Sequence, residues 1–434
     1  MSPEFIGLLG ILILLATMFT LQIPVAFAMA LVGFFGLGYV TSLDAALMMI
    51  GTELWTTFSS YGLTIIPLFI FMGMICFYSD VNTKLYNAAY KWLGATRGGL
   101  AMATVMACAG FAAISGSNTA TAATMTSVAL PEMKRFKYHP ILITGSIAAG
   151  STLGVVIPPS IVLVVYGIYT GQSIGKLFFG SIIPGFILAS LMMVTIYVIC
   201  QRHKDWGPAG PKTTFREKII SLKGAGEMLV LFSLVMGGLF IGFFTPSEAG
   251  AVGSFFALLI SLIRRNLTRQ GFARAVKDTL RVSCFIVMII AGAVIFGRFL
   301  AITRLPYAIA EWAIALQVPN FVILWLIICV FIIGGAIMDA LGLLLITIPI
   351  FYPLAMKLGY DPIWFGVMLT IVTTMGAITP PVGVNAYVVA GMSKDISLNT
   401  VFKGVTYFLP TYIICIILLE IFPSLVLFLA GAVK

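Results

Sequence analysis

Charge is what this sequence has least of. Only 9% of its 434 residues are Asp, Glu, Lys or Arg, against 60% apolar. A water-soluble fold could not cover its surface with so few polar groups, so the hydrocarbon of a bilayer must act as solvent. Histidine is nearly missing, and both copies, His139 and His203, fall in connections between apolar runs. No HExxH, GxSxG, phosphate-loop or paired-cysteine motif is present, which leaves a membrane-embedded enzyme and ATP coupling without support. The six cysteines (Cys76, Cys108, Cys200, Cys284, Cys329, Cys415) are scattered through apolar stretches without a CxxC pair, arguing against a disulfide framework or a thiolate metal site. The net charge of +10 does not point to nucleic acid, because the basic residues sit in short connections where Lys and Arg set membrane topology.

What is present is a succession of apolar runs of bilayer-spanning length, from about residue 5 to about residue 432. They are unbroken and of helix length, without the two-residue alternation of a membrane β-barrel. The chain therefore reads as an all-α polytopic membrane protein. Its start, Met1-Ser2-Pro3-Glu4, has no basic stretch before the first run, so that run is expected to stay as a helix rather than to be cleaved.

Sliding the chain against itself by 222 positions aligns Ser117–Ser160 with Asp339–Val382 without a gap. Pro131/Pro353, Tyr138/Tyr360, Pro140/Pro362, Ile141/Ile363, Thr152/Thr374, Gly154/Gly376, Pro158/Pro380 and Pro159/Pro381 coincide, and the same shift sets Pro24 on Pro246. The helix breakers among them fix where the backbone bends. The expected organisation is a first repeat over 1–200, a linker over 201–224 and a second repeat over 225–434.

Charge gives the copies opposite orientations. Lys84, Lys91, Arg97, Lys134, Arg135 and Lys137 flank segment 98–135, placing both its ends in the cytoplasm. The equivalent flanks in the second copy hold Glu311 and Asp361 with Lys357 as the one basic residue, so that segment begins and ends outside. Loops 201–224 and 264–281 carry six Lys or Arg each and fit the cytoplasm. Tracing crossings from these anchors puts both termini outside. Two amphipathic stretches, Asp44–Ser59 and Asn266–Leu280, are expected to lie in the membrane interface, either as arms bracing a moving domain or as ordinary connectors.

Segments 98–135 and 319–356 return to the side they enter, which makes them re-entrant hairpins. The tip of the first is Ser115-Gly116-Ser117-Asn118-Thr119, and that of the second carries Asp339 among glycines. Such groups are costly at membrane depth unless they line a cavity or site. Each hairpin is followed by a span broken at its centre (140–170 and 363–391) by Gly-x-x-x-Pro-Pro. Adjacent prolines remove two donors and free nearby carbonyls, and paired interrupted segments mark the binding site of a transporter. Two Na⁺ sites are expected: Ser115, Asn118, Gly154, Ile157 and Pro159 around the first tip, and Gly335, Asp339, Gly376, Thr379 and Pro381 around the second. An anionic substrate between the tips would meet Ser117, Thr119 and Ser160. Arg298 and Arg304 are candidate arginines, equally suited to snorkelling at the outer surface.

On these residues the chain resembles the large membrane subunit of tripartite ATP-independent periplasmic transporters. GFAAISGSNTATAATM (110–125), PEM (131–133), LGVVIPPS (153–160), TPSEAGA (245–251) and ITPPVG (378–383) carry the resemblance, which covers essentially the whole chain. It implies an elevator-type ion-transporter-like architecture in a bacterial inner membrane. It also implies a soluble periplasmic binding protein that delivers an organic carboxylate such as a sialic acid or a C4-dicarboxylate, a small four-helix membrane subunit, and coupling to Na⁺. The wider group of transporters with paired hairpins usually repeats a serine-asparagine motif in the second hairpin, and Ala340 departs from it. An ion channel and a symporter that needs no binding protein are the alternative readings.

Overall fold

In a computed structural model, residues 2–79, 81–211, 213–393 and 395–433 are described, and among them the chain is wholly helical, with no strand. Nine helices are long and apolar enough to cross a membrane among the described residues.

Helix boundaries repeat at the 222-residue offset. Asn118–Arg135 maps onto Ala340–Lys357 at both ends, and Pro140–Ser151 onto the start of Pro362–Gly376. Val25–Val40 maps onto Pro246–Ile263, and Ile161–Thr170 onto Val384–Met392. The prolines do what their chemistry predicts: Pro140, Pro246 and Pro362 each occupy the first turn of a helix, where a missing N–H costs nothing. Both Pro-Pro pairs, 158–159 and 380–381, are cis.

The copies exchange packing partners. Val25–Val40 of the first copy lies on the long helix Arg269–Ile302 of the second, and Pro246–Ile263 of the second lies on Ile65–Tyr78 of the first. Close approach rests on small residues. A Cβ on Gly292 would fall 2.2 Å from the carbonyl oxygen of Ala26. These helices make a frame. The hairpins and broken helices pack against one another around Phe111, Tyr166, Phe331, Phe365 and Tyr412, all fully buried.

The two amphipathic stretches differ. In the first copy, Leu43–Phe58 is a separate helix with Leu47, Trp55 and Phe58 exposed on its apolar face, ended by the turn Tyr61–Thr64. In the second, the expected arm 266–280 is not separate; from Arg269 it runs straight into the following span as one helix of 34 residues, Arg269–Ile302. At 1.5 Å per residue that helix is about 50 Å long, well beyond a hydrocarbon core of about 30 Å. The physical reason lies in the turn. Ser60 and Gly62, which open the first copy's chain there, are replaced at the offset by Val282 and Cys284, which do not interrupt a helix.

The connection between the copies is strapped to the base of the first hairpin. Gly98 N–H donates to Gly207 O (2.9 Å), His139 N–H to Trp206 O (3.0 Å) and Gly210 N–H to Gly94 O (2.8 Å). The Tyr138 hydroxyl donates to Pro208 O (2.9 Å). Trp206 is sandwiched between His139 and His203, with ring centroids at 4.5 and 4.4 Å. Burial, and then the neighbouring His203, hold the His139 imidazole below its ordinary pKa, so docking favours the neutral ring. The stability this adds is complete above the ordinary histidine value, about 6.5, and is lost as pH falls through the lowered one. Protection factors for the amides of Gly98 and Gly210, which correct for the intrinsic slowing of exchange in acid, are therefore expected to fall as pH drops below about 6.5, and to lose that fall in His139→Gln.

Candidate functional site

The first hairpin consists of Gly99–Ser115 and Asn118–Arg135, joined by Gly116 and Ser117. Gly116 has φ +60°, which glycine adopts without strain, and a Cβ there would lie 2.8 Å from the Pro159 carbonyl oxygen. Ser117 caps the returning helix by accepting from Ala120 N–H (3.4 Å). Its carbonyl accepts from the Thr121 hydroxyl (2.7 Å), and Thr121 shares a hydrogen bond with Ser115 (3.0 Å). Gly154 of the broken helix lies against this cluster, since a Cβ on it would fall 2.6 Å from both Ser117 O and Thr121 Oγ1. Ser115, Gly154 and Pro159 are thus brought together, with Thr121 as a fourth oxygen bearer that sequence reasoning missed. Its signal was its place one turn after Ser117, where a hydroxyl reaches back to the i−4 carbonyl. The side chain of Ile157, a residue expected to contribute its main-chain carbonyl, lines an apolar crevice of about 520 Å³ with Trp92, Met106, Phe186 and Leu229.

The second hairpin, Asn320–Gly335 and Ala340–Lys357, repeats the plan with different chemistry. Asp339 stands at the position equivalent to Ser117 and likewise caps the returning helix, accepting from Leu341 N–H (3.0 Å). Gly335 and Gly376 meet back to back: a Cβ on Gly376 would fall 2.6 Å from the Cα of Gly335. The Ala336 carbonyl accepts from Val382 and Gly383 N–H (2.9 and 3.1 Å). Gly376 O accepts from Thr379 N–H (2.8 Å), and the Thr379 hydroxyl donates to Met375 O (2.7 Å). Asp339 makes no hydrogen bond to Gly376, Thr379 or Pro381 among the described residues; it faces the cavity instead. The two broken helices are tied across the copies by Asn385, fully buried, whose Nδ2 donates to Ser151 Oγ (2.9 Å).

Both tips open on one cavity of about 680 Å³. The hairpins line it with Ser117, Asn118, Thr119, Asp339, Ala340 and Leu341, and the broken helix adds Ile161. Asn118, Ile161 and Ala340 each begin a helix, so three helix N-termini, with their free N–H groups and partial positive charge, border the space. That suits an anion, while the hydroxyls and freed carbonyls at each tip are donors for a hard cation. The facing wall is the frame: Met74 and, from the long helix, Asp278, Arg281, Val282, Phe285 and Ile286. Asp278 escaped the sequence reading because it falls in the stretch 266–280 read as an interfacial arm, and Arg281 because it was one of six basic residues in 264–281 read as setting topology.

Three expected substrate contacts lie elsewhere. Ser160 is fully buried, its hydroxyl accepting from Leu163 N–H (3.3 Å) as a helix cap. Arg298 pairs with Glu53 (2.7 Å) in a separate cavity of about 520 Å³ bordered by Leu43–Phe58, Tyr169 and the second hairpin. Arg304, exposed at φ +56°, begins the helix Leu305–Ala315. Neither arginine lines the tip cavity, because Arg298 lies in the last turns of the long helix and Arg304 just beyond its end, away from the residues 278–286 that face the tips.

Paired hairpins meeting paired broken helices define an elevator-type membrane transporter architecture. The chain belongs to the family described as the DctM component of tripartite ATP-independent periplasmic transporters, whose family model matches residues 12–425. It is 36% identical to the C4-dicarboxylate TRAP transporter large permease protein DctM of Pseudomonas aeruginosa, over 79% of this chain and 80% of that one. It is 33% identical to the sialic acid TRAP transporter large permease protein SiaM of Vibrio cholerae, over 85% and 86% of the two chains. Among solved structures, the Alcanivorax borkumensis YdaH transporter superposes with a TM-score of 0.64 at 14% identity, over 88% of this chain and 89% of that one; this likeness concerns the fold alone.

The glycine contacts generate a sharp expectation. Gly154→Val inserts a branched side chain where even a Cβ would sit 2.6 Å from Ser117 O, and overpacking of this kind costs about 1–3 kcal/mol. The purified protein should melt several degrees lower in a fluorescence-detected size-exclusion assay, whereas Gly226→Val, with nothing within 4 Å, should melt close to the parent.

Proposed function

We propose that this large permease carries an organic carboxylate inward together with Na⁺, by an elevator movement of the hairpins and broken helices against the frame. The observation that carries the reading is the convergence of two glycine-seated hairpin tips and three helix N-termini on a single cavity. Na⁺ is here a co-transported substrate. Ser115, Thr121, the carbonyls of Ser117 and Pro159, and Asn118 at the cavity surface would hold one ion. The Gly335–Gly376 contact with Thr379, and Asp339 from the cavity side, would form the second site.

The family's tripartite character supports a soluble periplasmic binding protein and a small membrane subunit as partners. The relatives support a C4-dicarboxylate or a sialic acid as substrate. The basic residues of Arg269–Arg281 and of the linker favour the cytoplasmic side of a bacterial inner membrane for that end of the molecule, with both termini in the periplasm. Midplane breaks in inverted copies favour alternating access over a pore.

Proteoliposomes holding the chain and its small subunit, supplied with binding protein, succinate or N-acetylneuraminate, test the reading. Saturable uptake is expected only with both binding protein and an inward Na⁺ gradient. Asn118→Ala and Asp339→Asn should each raise the Na⁺ concentration for half-maximal uptake by about tenfold, the scale of losing one charge-assisted oxygen contact. Unchanged Na⁺ dependence in both variants would sink the ion sites; uptake without any binding protein would sink the tripartite reading.

A further inference from the structure

The tip cavity holds three ionisable side chains, and two are already engaged. Asp339 caps a helix. Asp278 accepts a hydrogen bond from the Tyr78 hydroxyl (2.6 Å), which ties it to the neighbouring frame helix. Arg281 is exposed and has no hydrogen bond or ion pair with the protein among the described residues, and it is the one cationic residue lining the cavity. It stands on the long helix, across the space from Ser117, Asn118 and Thr119. Of the other basic residues near that end, Arg264 pairs with Glu227 at 2.8 Å, and none of Arg265, Arg269, Arg274 and Lys277 lines the cavity.

We propose that Arg281 is a substrate-binding residue of the frame, which holds the carboxylate of the anion while the hairpin tips face the basic end of the long helix and loses it when they move away. This rests on the carboxylate-transport reading above. A guanidinium offers paired donors matched to a carboxylate, and here it complements the helix N-termini on the opposite wall. The 222-residue offset sets Ser59 at the equivalent position of the other copy. A fixed cation is therefore offered on one side of the membrane and not at the related place on the other, so the anion binds more tightly from the side of Arg281. Internal substrate should accordingly slow uptake by occupying that state.

The test uses the proteoliposomes described above, with the exposed Cys284 and Cys329 replaced by serine and Arg281→Cys introduced. The readout is the lumenal concentration of succinate or N-acetylneuraminate that halves uptake. Arg281→Cys should raise it roughly fivefold, the scale of one solvated ion pair. Modification with 2-aminoethyl methanethiosulfonate, which restores a positive charge, should bring it back, and the negatively charged 2-sulfonatoethyl reagent should raise it further. The KM for loaded binding protein stays constant throughout, because that step meets the opposite face. Arg281→Lys should remain within about twofold of the parent. The same half-inhibiting concentration with a neutral, positive and negative side chain at 281 overturns the proposal while leaving carboxylate transport intact. Absence of uptake of both acids by the parent protein overturns both.

Discussion

A backbone interrupted at membrane depth must find partners for the N–H and C=O groups it exposes, each of which costs several kcal/mol when left alone in hydrocarbon. This chain carries four such interruptions, two hairpin turns and two broken helices. They are solved in pairs. Gly116 O accepts from Ile161 N–H and Ala336 O from Val382 and Gly383 N–H, so each turn is hydrogen-bonded to the break that follows it. Ser117, Asp339 and Ser160 cap the helices that leave these points. The glycines at 116, 154, 335 and 376 let backbone meet backbone closely enough for the pairing to form. Fold and candidate site therefore share the same atoms: what stabilises the tips also gathers their remaining oxygens.

The broad plan was legible because proline and glycine act locally. Helix starts at Pro140, Pro246 and Pro362 follow from the missing N–H, and the repeat made each break visible twice. Hydroxyl-rich and acidic tips stood out against apolar surroundings for the same reason, since a polar group in such sequence has no solvent to turn to. The arms were legible only in part. Amphipathicity marked Leu43–Phe58, yet whether an amphipathic stretch bends away from the next span depends on a short turn, and Cys284 where the first copy has Gly62 left the second one straight.

Side chains that act through tertiary placement were harder to see. Arg298 looked available because its partner, Glu53, lies 245 positions away in sequence. Ser160 looked like a ligand-facing hydroxyl because a helix cap and a substrate contact use the same residue types. Arg281 hid among six basic residues whose common signal is topology. In each case the residue type was informative and the facing surface was not, because facing is decided by which copy packs on which.

The copies share a backbone and differ in charge. At the cap of the returning hairpin helix one places a hydroxyl and the other a carboxylate, Ser117 against Asp339; at the junction of arm and span one places Ser59 and the other Arg281. Were the copies chemically identical, their exchange of partners would make the two membrane-facing states mirror each other and present the same affinities on both sides. A ligand shifts a two-state equilibrium only as far as its affinities for the states differ. In the proposed alternating access, shared geometry thus supplies two comparable states, and unequal charge makes those states distinguishable to an ion or an anion. Asp339 lies on the hairpin tip, whereas Arg281 lies on the frame wall across the cavity. In the proposed elevator movement, a charge carried by the hairpin acts on the ligand wherever the hairpin goes, while a charge on the frame acts at one end of that travel. The first can set affinity and the second can set sidedness.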